Sequence, residues 1–345
     1  MGFDPGRYNT RGLSPTGMLS LPLRLPVLIA AAVGATAPLL ETRDDVAQAA
    51  LALRAQLSAE QRAAACFTWA DPERANWQPL PFGEAGVRYA DLDALQRGAL
   101  WDLLDTVLSE EGIATLRGVM TAEGVLVAIE AEQGRPSKWH GPERYFLTLY
   151  GDPAGSEPWG LRFEGHHLSL NVRHTNGGAT EVEPFFVGSQ PARIQGGAHD
   201  GLRVTGVEDD AARALFESLN EEQRAKATLS GKQPGNVVLL PGVDAFDDRG
   251  GIQATELDAE QQELLLAVVG AWQQRLEGSS GDAEDPHLKG VTFGWMGSTD
   301  PDGAHYWRIG GRGFWSDRSF GIEYSAPAND PAHVHTIWRA LPAPR

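Results

Sequence analysis

Leu57-Ser58-Ala59-Glu60-Gln61-Arg62-Ala63 is the stretch on which the fold turns. A serine followed three residues later by a glutamine is a capping box. The hydroxyl satisfies a free backbone N–H of the first helical turn, and the glutamine amide reaches back to the serine N–H. The same device returns at Asp93-Ala94-Leu95-Gln96, at Asn220-Glu221-Glu222-Gln223 and at Asp258-Ala259-Glu260-Gln261. The flanks repeat as well: Leu219-Asn220-Glu221-Glu222-Gln223-Arg224-Ala225 resembles the opening stretch, and Leu257-Asp258-Ala259-Glu260-Gln261 resembles Leu92-Asp93-Ala94-Leu95-Gln96. The later box of each pair opens a long amphipathic helix, ending near Leu108 and Leu276 respectively. The chain therefore reads as a helix pair twice over, around residues 45–130 and 208–277.

The segments after the two helical blocks are also alike. Tyr145-Phe146-Leu147-Thr148-Leu149-Tyr150 runs into Gly151-Asp152-Pro153, and Trp159-Gly160-Leu161-Arg162-Phe163 comes next. Val291-Thr292-Phe293-Gly294-Trp295-Met296-Gly297 runs into a turn ending at Asp300-Pro301, with His305-Tyr306-Trp307-Arg308-Ile309 beyond it. Both are aromatic strands entering Gly/Asp/Pro turns. Thr175-Asn176-Gly177-Gly178 reads as a further hairpin turn, and 278–286 as a Gly/Ser/acidic connection. The expectation is an α+β fold of pseudo-duplicated helix-pair plus antiparallel β-hairpin units in one compact body, residues 44–345, with repeats at about 45–207 and 208–345.

Residues 1–43 stand apart. Leu25 to Leu40 is apolar, comes after Arg7, Arg11 and Arg24, and contains Ala35-Thr36-Ala37, which are the parts of an export signal. Pro38 directly behind the small-residue box opposes cleavage there, so a disordered extension is the alternative. The stretch is short for a membrane span, and no stable span is expected. An exported location, periplasmic or extracellular, is therefore set against a cytoplasmic one. The net charge of −17, from 46 acidic and 29 basic side chains, opposes binding to nucleic acid or an anionic membrane. A single cysteine, Cys66, rules out an intramolecular disulfide framework.

The chemistry-bearing residues cluster in two places. In Ala332-His333-Val334-His335-Thr336-Ile337-Trp338-Arg339, strand alternation puts His333, His335, Ile337 and Arg339 on one face. In Glu164-Gly165-His166-His167-Leu168-Ser169-Leu170-Asn171, a strand with its turn at Glu164-Gly165 sends His166 to the apolar face with Leu168 and Leu170. His167 then heads a polar row with Ser169 and Asn171. His-x-His with a distant third histidine and a carboxylate is the inventory of a divalent transition-metal site with open positions, of unspecified metal. On this reading His167, His333 and His335 hold the metal. Glu323 acts as ligand or general base, and Arg308 and Arg339 orient an anionic substrate. His166, Asn171, Trp159, His305 and Tyr306 line the substrate pocket. The plainer alternatives are a structural Arg308–Glu323 ion pair and a histidine network that only holds the core together. His140, His174, His199 and His287 read as solvated loop residues. Most tryptophans, Trp315 among them, read as core. No nucleophile elbow, Walker loop, dinucleotide fingerprint or His-Glu-x-x-His helix occurs.

Several of these stretches together resemble a known family. They are Gly165-His166-His167-Leu168-Ser169-Leu170-Asn171, Pro184-Phe185-Phe186-Val187-Gly188-Ser189-Gln190-Pro191, Tyr306-Trp307-Arg308-Ile309 and His333-x-His335-x-x-Trp338-Arg339. The set is similar to the bacterial domain-of-unknown-function family numbered 3500, over roughly residues 50–340. The resemblance implies a bacterial, often exported protein and carries over no catalytic residue. The residues themselves point to a metal-dependent enzyme acting on a small molecule. The alternative is a metal-free binding protein for an anionic or sugar-like ligand.

Overall fold

The computed structural model of the chain describes residues 44–79, 85–175, 178–277, 288–312 and 319–341. The apolar segment before residue 44, the corner at 176–177, the 278–286 connection, His287 and Trp315 lie outside them.

In chain order the elements are α1 (Asp45–Gln56), α2 (Ala59–Ala65), β1 (Cys66–Phe67), β2 (Val87–Arg88), α3 (Ala94–Asp105), α4 (Glu110–Glu132), β3 (Phe146–Tyr150), β4 (Trp159–Gly165), β5 (Leu168–His174) and β6 (Thr180–Ser189). Next come α5 (Gly206–Ser218), α6 (Glu221–Ala227), β7 (Ile252–Gln253), α7 (Ala259–Gln273), β8 (Thr292–Gly297), β9 (His305–Arg312), β10 (Ser319–Ala326) and β11 (Val334–Leu341). The fold is α+β. The first half runs through α1, α2, two short strands, α3 and α4 into four antiparallel strands, and the second through α5, α6, one short strand and α7 into four more. These are meanders of four rather than the expected hairpins. The long helix α4 stands between α3 and β3, whereas α7 leads on to β8.

All four capping boxes form. Their glutamines do more than close their own helices. Gln61 Nε2 donates to Gln96 Oε1 (3.0 Å), and Gln96 Nε2 donates back to Gln61 Oε1 (2.8 Å). Gln223 and Gln261 exchange the same reciprocal pair at 2.7 and 2.9 Å. Each amide thus caps one helix and fixes the spacing to the next, so a local motif sets a tertiary contact.

The strands join in one sheet of order β1-β3-β4-β5-β6-β11-β10-β9-β8-β7, with β2 also on β3. The seam between the halves is β6 against β11, antiparallel, from Val334↔Ser189 to Trp338↔Phe185. Alternation along the strands gives the sheet two unlike faces. The row Leu168, Val187, Thr336, Tyr324, Trp307, Trp295 faces the helices and belongs mostly to the main core. The neighbouring row Ser169, Phe186, Ile337, Glu323, Arg308, Gly294 faces the other way.

Two irregular segments cover that second face, and both are clamped alike. Arg162 on β4 donates to the Glu73 carbonyl (2.8 Å) and carboxylate (2.6 Å), while the buried Glu164 accepts from Gln78 N–H (2.8 Å). In the second half Arg308 on β9 donates to the Asp247 carboxylate (2.8 Å) and carbonyl (2.9 Å), while the buried Glu323 accepts from the Val238 N–H. A small apolar cluster of Trp77, Phe186, Val237, Leu239 and Ile337 fills the space beneath the two covers.

Burial raises both clamp carboxyls, Glu164 to about 7 and Glu323 to about 8. A folded-state value above the unfolded one means that the native state holds the extra proton. That contribution to stability is complete below about 4.5 and is lost as pH rises through about 8 for Glu323. The thermal midpoint of the wild type should therefore fall from pH 6 toward pH 9, as roughly expected from linkage, more steeply than that of Glu323→Gln, whose amide keeps the bond from Val238. Parallel slopes in a melting series would contradict it.

Candidate metal centre

The hairpin between β4 and β5 closes Gly165 against Leu168, which leaves His166 and His167 as its corner. His167 takes a positive φ of 64°, a left-handed conformation that histidine adopts more readily than branched residues do. This corrects the expectation that the turn lies at Glu164-Gly165 and that the two histidines point to opposite faces. A corner has no strand alternation, and the two rings lie together, 3.7 Å between centroids.

The group that holds them is Glu123 of α4, 1% exposed. Its Oε1 lies 2.8 Å from Nδ1 of both His166 and His167, and its Oε2 accepts from the Gly141 N–H (3.1 Å). Burial pushes the Glu123 carboxyl up, but the bonds from His166 and His167 outweigh it and hold it far below the usual carboxylate range. A carboxylate only accepts, so both Nδ1 atoms carry hydrogen, and both Nε2 atoms are left as lone-pair donors aimed away from α4. Burial, reinforced by His166, lowers His167 to about 3, which keeps it neutral at ordinary pH.

The tail reaches this corner across the seam. His333 sits in the turn before β11, its N–H bonded to the Asp330 carbonyl (3.0 Å). Its Nε2 lies 2.7 Å from Nε2 of His167. With the His167 lone pair fixed by Glu123, the hydrogen in that bond belongs to His333. His335, one strand position in, lies 4.6 Å from His333 and 5.3 Å from His167 between ring centroids, and its Nδ1 is 2.7 Å from Asn236 Oδ1. Burial first, and neighbouring imidazoles next, lower His333 and lower His335 well below the ordinary histidine value. Gly188 of β6 makes the convergence possible. A Cβ there would stand 2.7 Å from Cδ2 of both His167 and His335.

His166, His167 and His333 can hold a metal ion, each offering one nitrogen, with these atoms within 4.8 Å of one another. The membership differs from the sequence expectation: His166, read as pocket lining, stands in the trio, and His335, read as a ligand, stands beside it. The 2.7 Å separation of His167 and His333 is a hydrogen-bond distance. Two nitrogens on one tetrahedral zinc-like ion lie roughly 3.3 Å apart, from bond lengths of about 2.0–2.1 Å. The His333 ring would move by about half an ångström to admit one.

The remaining site residues lie elsewhere. Glu323 and Arg308 face each other on β10 and β9 and clamp the second cover, Glu323 accepting from the Val238 N–H and Arg308 donating to the Asp247 carboxylate. Arg339 donates to the carbonyls of Leu240 (3.1 Å) and Val243 (2.5 Å) in that same cover. His305 is sandwiched between Trp295 and Tyr324 on the helix side and bonds Asp209 (2.6 Å), so it belongs to the core there. Tyr306 faces the covers beside Glu323. Trp159 packs on His174 in the core. Asn171 lines a cavity between the covers. Nor is His140 simply solvated: it stacks on His166 at 4.3 Å and bonds Glu130. His174 is buried against Thr180 and Asp44.

Glu123 escaped the sequence reading, although a signal existed. Gly112, Leu116, Val119, Glu123 and Leu126 form the buried stripe of α4 at helical spacing, and a carboxylate interrupts it. Near the site, a cleft of about 730 Å³ runs between α4 and the start of β11. Ala332 and Val334, the neighbours of His333, form part of its wall, with Val125, Ile129 and Arg193.

A family model described as "Protein of unknown function (DUF3500)" matches residues 40–343. No curated protein and no solved structure matches the chain.

Replacing Gly188 by alanine tests the packing. Displacing two buried rings should cost about 1–3 kcal/mol, the range for overpacking. Urea unfolding would register that loss, and an unchanged midpoint would mean that the rings are not confined by Gly188.

Proposed function

From a chain that belongs to the DUF3500 family, whose description names no reaction, we propose on the residues alone a metal-dependent enzyme acting on a small molecule. His166, His167 and His333 hold the metal, and the observation that carries the reading is Glu123. One buried carboxylate accepts from both Nδ1 atoms and so presets both Nε2 lone pairs. A carboxylate behind ligating histidines fixes tautomer and ring orientation and raises ligand basicity. Three imidazoles suit zinc, iron, copper or nickel, and leave at least one position open. Bound there, such an ion supplies Lewis acidity toward a water or an oxygen of the substrate.

The chain's own groups do the rest. His335, held by Asn236 through Nδ1, keeps its Nε2 available beside His333 as a proton acceptor or donor. His333 is the one member of the trio that is partly exposed, so approach to the metal is past its ring. The cleft flanked by Ala332 and Val334 is large enough for a small substrate's body, with Arg193 at hand for an anionic group.

A second reading has one observation in its favour. The direct His167–His333 bond also suits a metal-free network that merely secures the seam. Metal content separates the two. Purified protein reloaded with zinc or another divalent transition metal and desalted should retain about one ion per chain, as a three-histidine site implies. His333→Ala should lose that ion, and His335→Ala should keep it. Glu123→Gln should weaken affinity about 10–100-fold, the usual effect of removing such an orienting partner. Retention far below one ion per chain, alike in wild type and His333→Ala, would leave only the network.

A further inference from the structure

We propose that the cavity between the two cover segments is a second ligand site, independent of the histidines, that binds a small hydroxylated carboxylate of the sugar-acid class. It encloses about 310 Å³, at the small end of the roughly 300–1,000 Å³ typical of small-molecule sites. Trp69 of the first cover and Gly242 of the second stand over a floor that includes Tyr150 and Asn171. Arg339, at its far wall, is four residues along β11 from His335, or about 13 Å at a strand rise of ~3.3 Å per residue. Phe186 and Ile337 of the apolar cluster fill the sheet face in between. The cavity and the histidine cluster therefore do not share a chamber.

Three features define the ligand. Trp69 lies over the bare backbone of Gly160, where a Cβ would meet the indole at 3.5 Å. The Arg74 guanidinium stacks on that indole at 4.1 Å, and its Nε donates to the Trp69 carbonyl (3.0 Å). Both terminal nitrogens of Arg74 are without a bond among the described residues. A guanidinium fork set on an aromatic plate grips a carboxylate in two bonds, and the indole edge lines the cavity beside it. At the floor, Tyr150 presents its ring, its hydroxyl lying buried beside Thr148. Asn171 spends both amide hydrogens on Ser169 (3.1 Å) and Pro184 (3.0 Å), so its oxygen remains an acceptor. The Arg74 fork and the Asn171 acceptor in one cavity favour a sugar acid over a neutral sugar, which leaves the fork empty. They also favour it over an apolar acid, which leaves the Asn171 oxygen unpaired.

Titration of the full chain with D-glucuronate and D-galacturonate, monitored by calorimetry and tryptophan fluorescence, tests this, with D-glucose and benzoate as comparisons. Saturable binding of at least one uronate is expected, with glucose and benzoate about tenfold weaker or worse, the factor for one lost charge-assisted or buried bond. Arg74→Gln, at an exposed position that leaves the fold intact, should weaken the uronate roughly tenfold. His333→Ala and added chelator should leave it unchanged. The proposal is overturned by no uronate binding at millimolar concentration, by benzoate binding equally well, or by unchanged affinity in Arg74→Gln. Loss of binding in His333→Ala would overturn the independence of the two sites.

Discussion

The pairing of β6 with β11 is the constraint on which the rest of the molecule depends. It joins the two four-stranded meanders into one sheet. By register alone it sets His335 opposite Gly188, with Val334 opposite Ser189. A slip of one residue would turn His335 toward the helices and Thr336 toward the covers. Residues far apart in the chain therefore meet because a backbone ladder demands it, not because their side chains attract one another. The imidazoles gain only a weak bond from meeting, whereas the seam contributes a row of backbone hydrogen bonds and buried Phe186 and Ile337.

Given that convergence, Glu123 decides the electrical character of the site. A carboxylate removed from water is expensive unless it is fully bonded. Here both oxygens are engaged by imidazole or backbone N–H groups. The charge is thereby retained, and its bonds fix the protonation pattern of both corner histidines. Elsewhere the same physics runs the other way. Glu164 and Glu323 have too few donors to offset their burial, and each holds its proton into the neutral range.

The helical frame was legible in the sequence because capping boxes are local, and each glutamine declares its role within four residues. The faces of β5, β10 and β11 were legible for the same reason, since alternation needs only neighbours. The corner at His166-His167 was not, because Gly165 made an equally good turn and only the pairing of Gly165 with Leu168 chooses between them. Arg308 and Glu323 were correctly set opposite each other and wrongly joined to the histidines. Their true partners lie in an irregular segment whose path no periodicity reveals. Glu123 could have been found from its place in an apolar stripe, a signal that needs α4 to be drawn as a helix first.

The two covers share one manner of attachment, and it bears on how the molecule breathes. Each lies across the sheet without joining a ladder there, held by an arginine, a buried acid and a few apolar side chains, to which the second adds Arg339. Segments so held open at lower free energy than the strands beneath them. The polar fastenings are separate, Arg162 and Glu164 on one strand and Arg308 and Glu323 on two others, while Trp77, Val237 and Leu239 pack in one cluster beneath both flaps. The sheet below thus has two shutters that share one apolar latch, so opening either exposes part of the surface that seats the other.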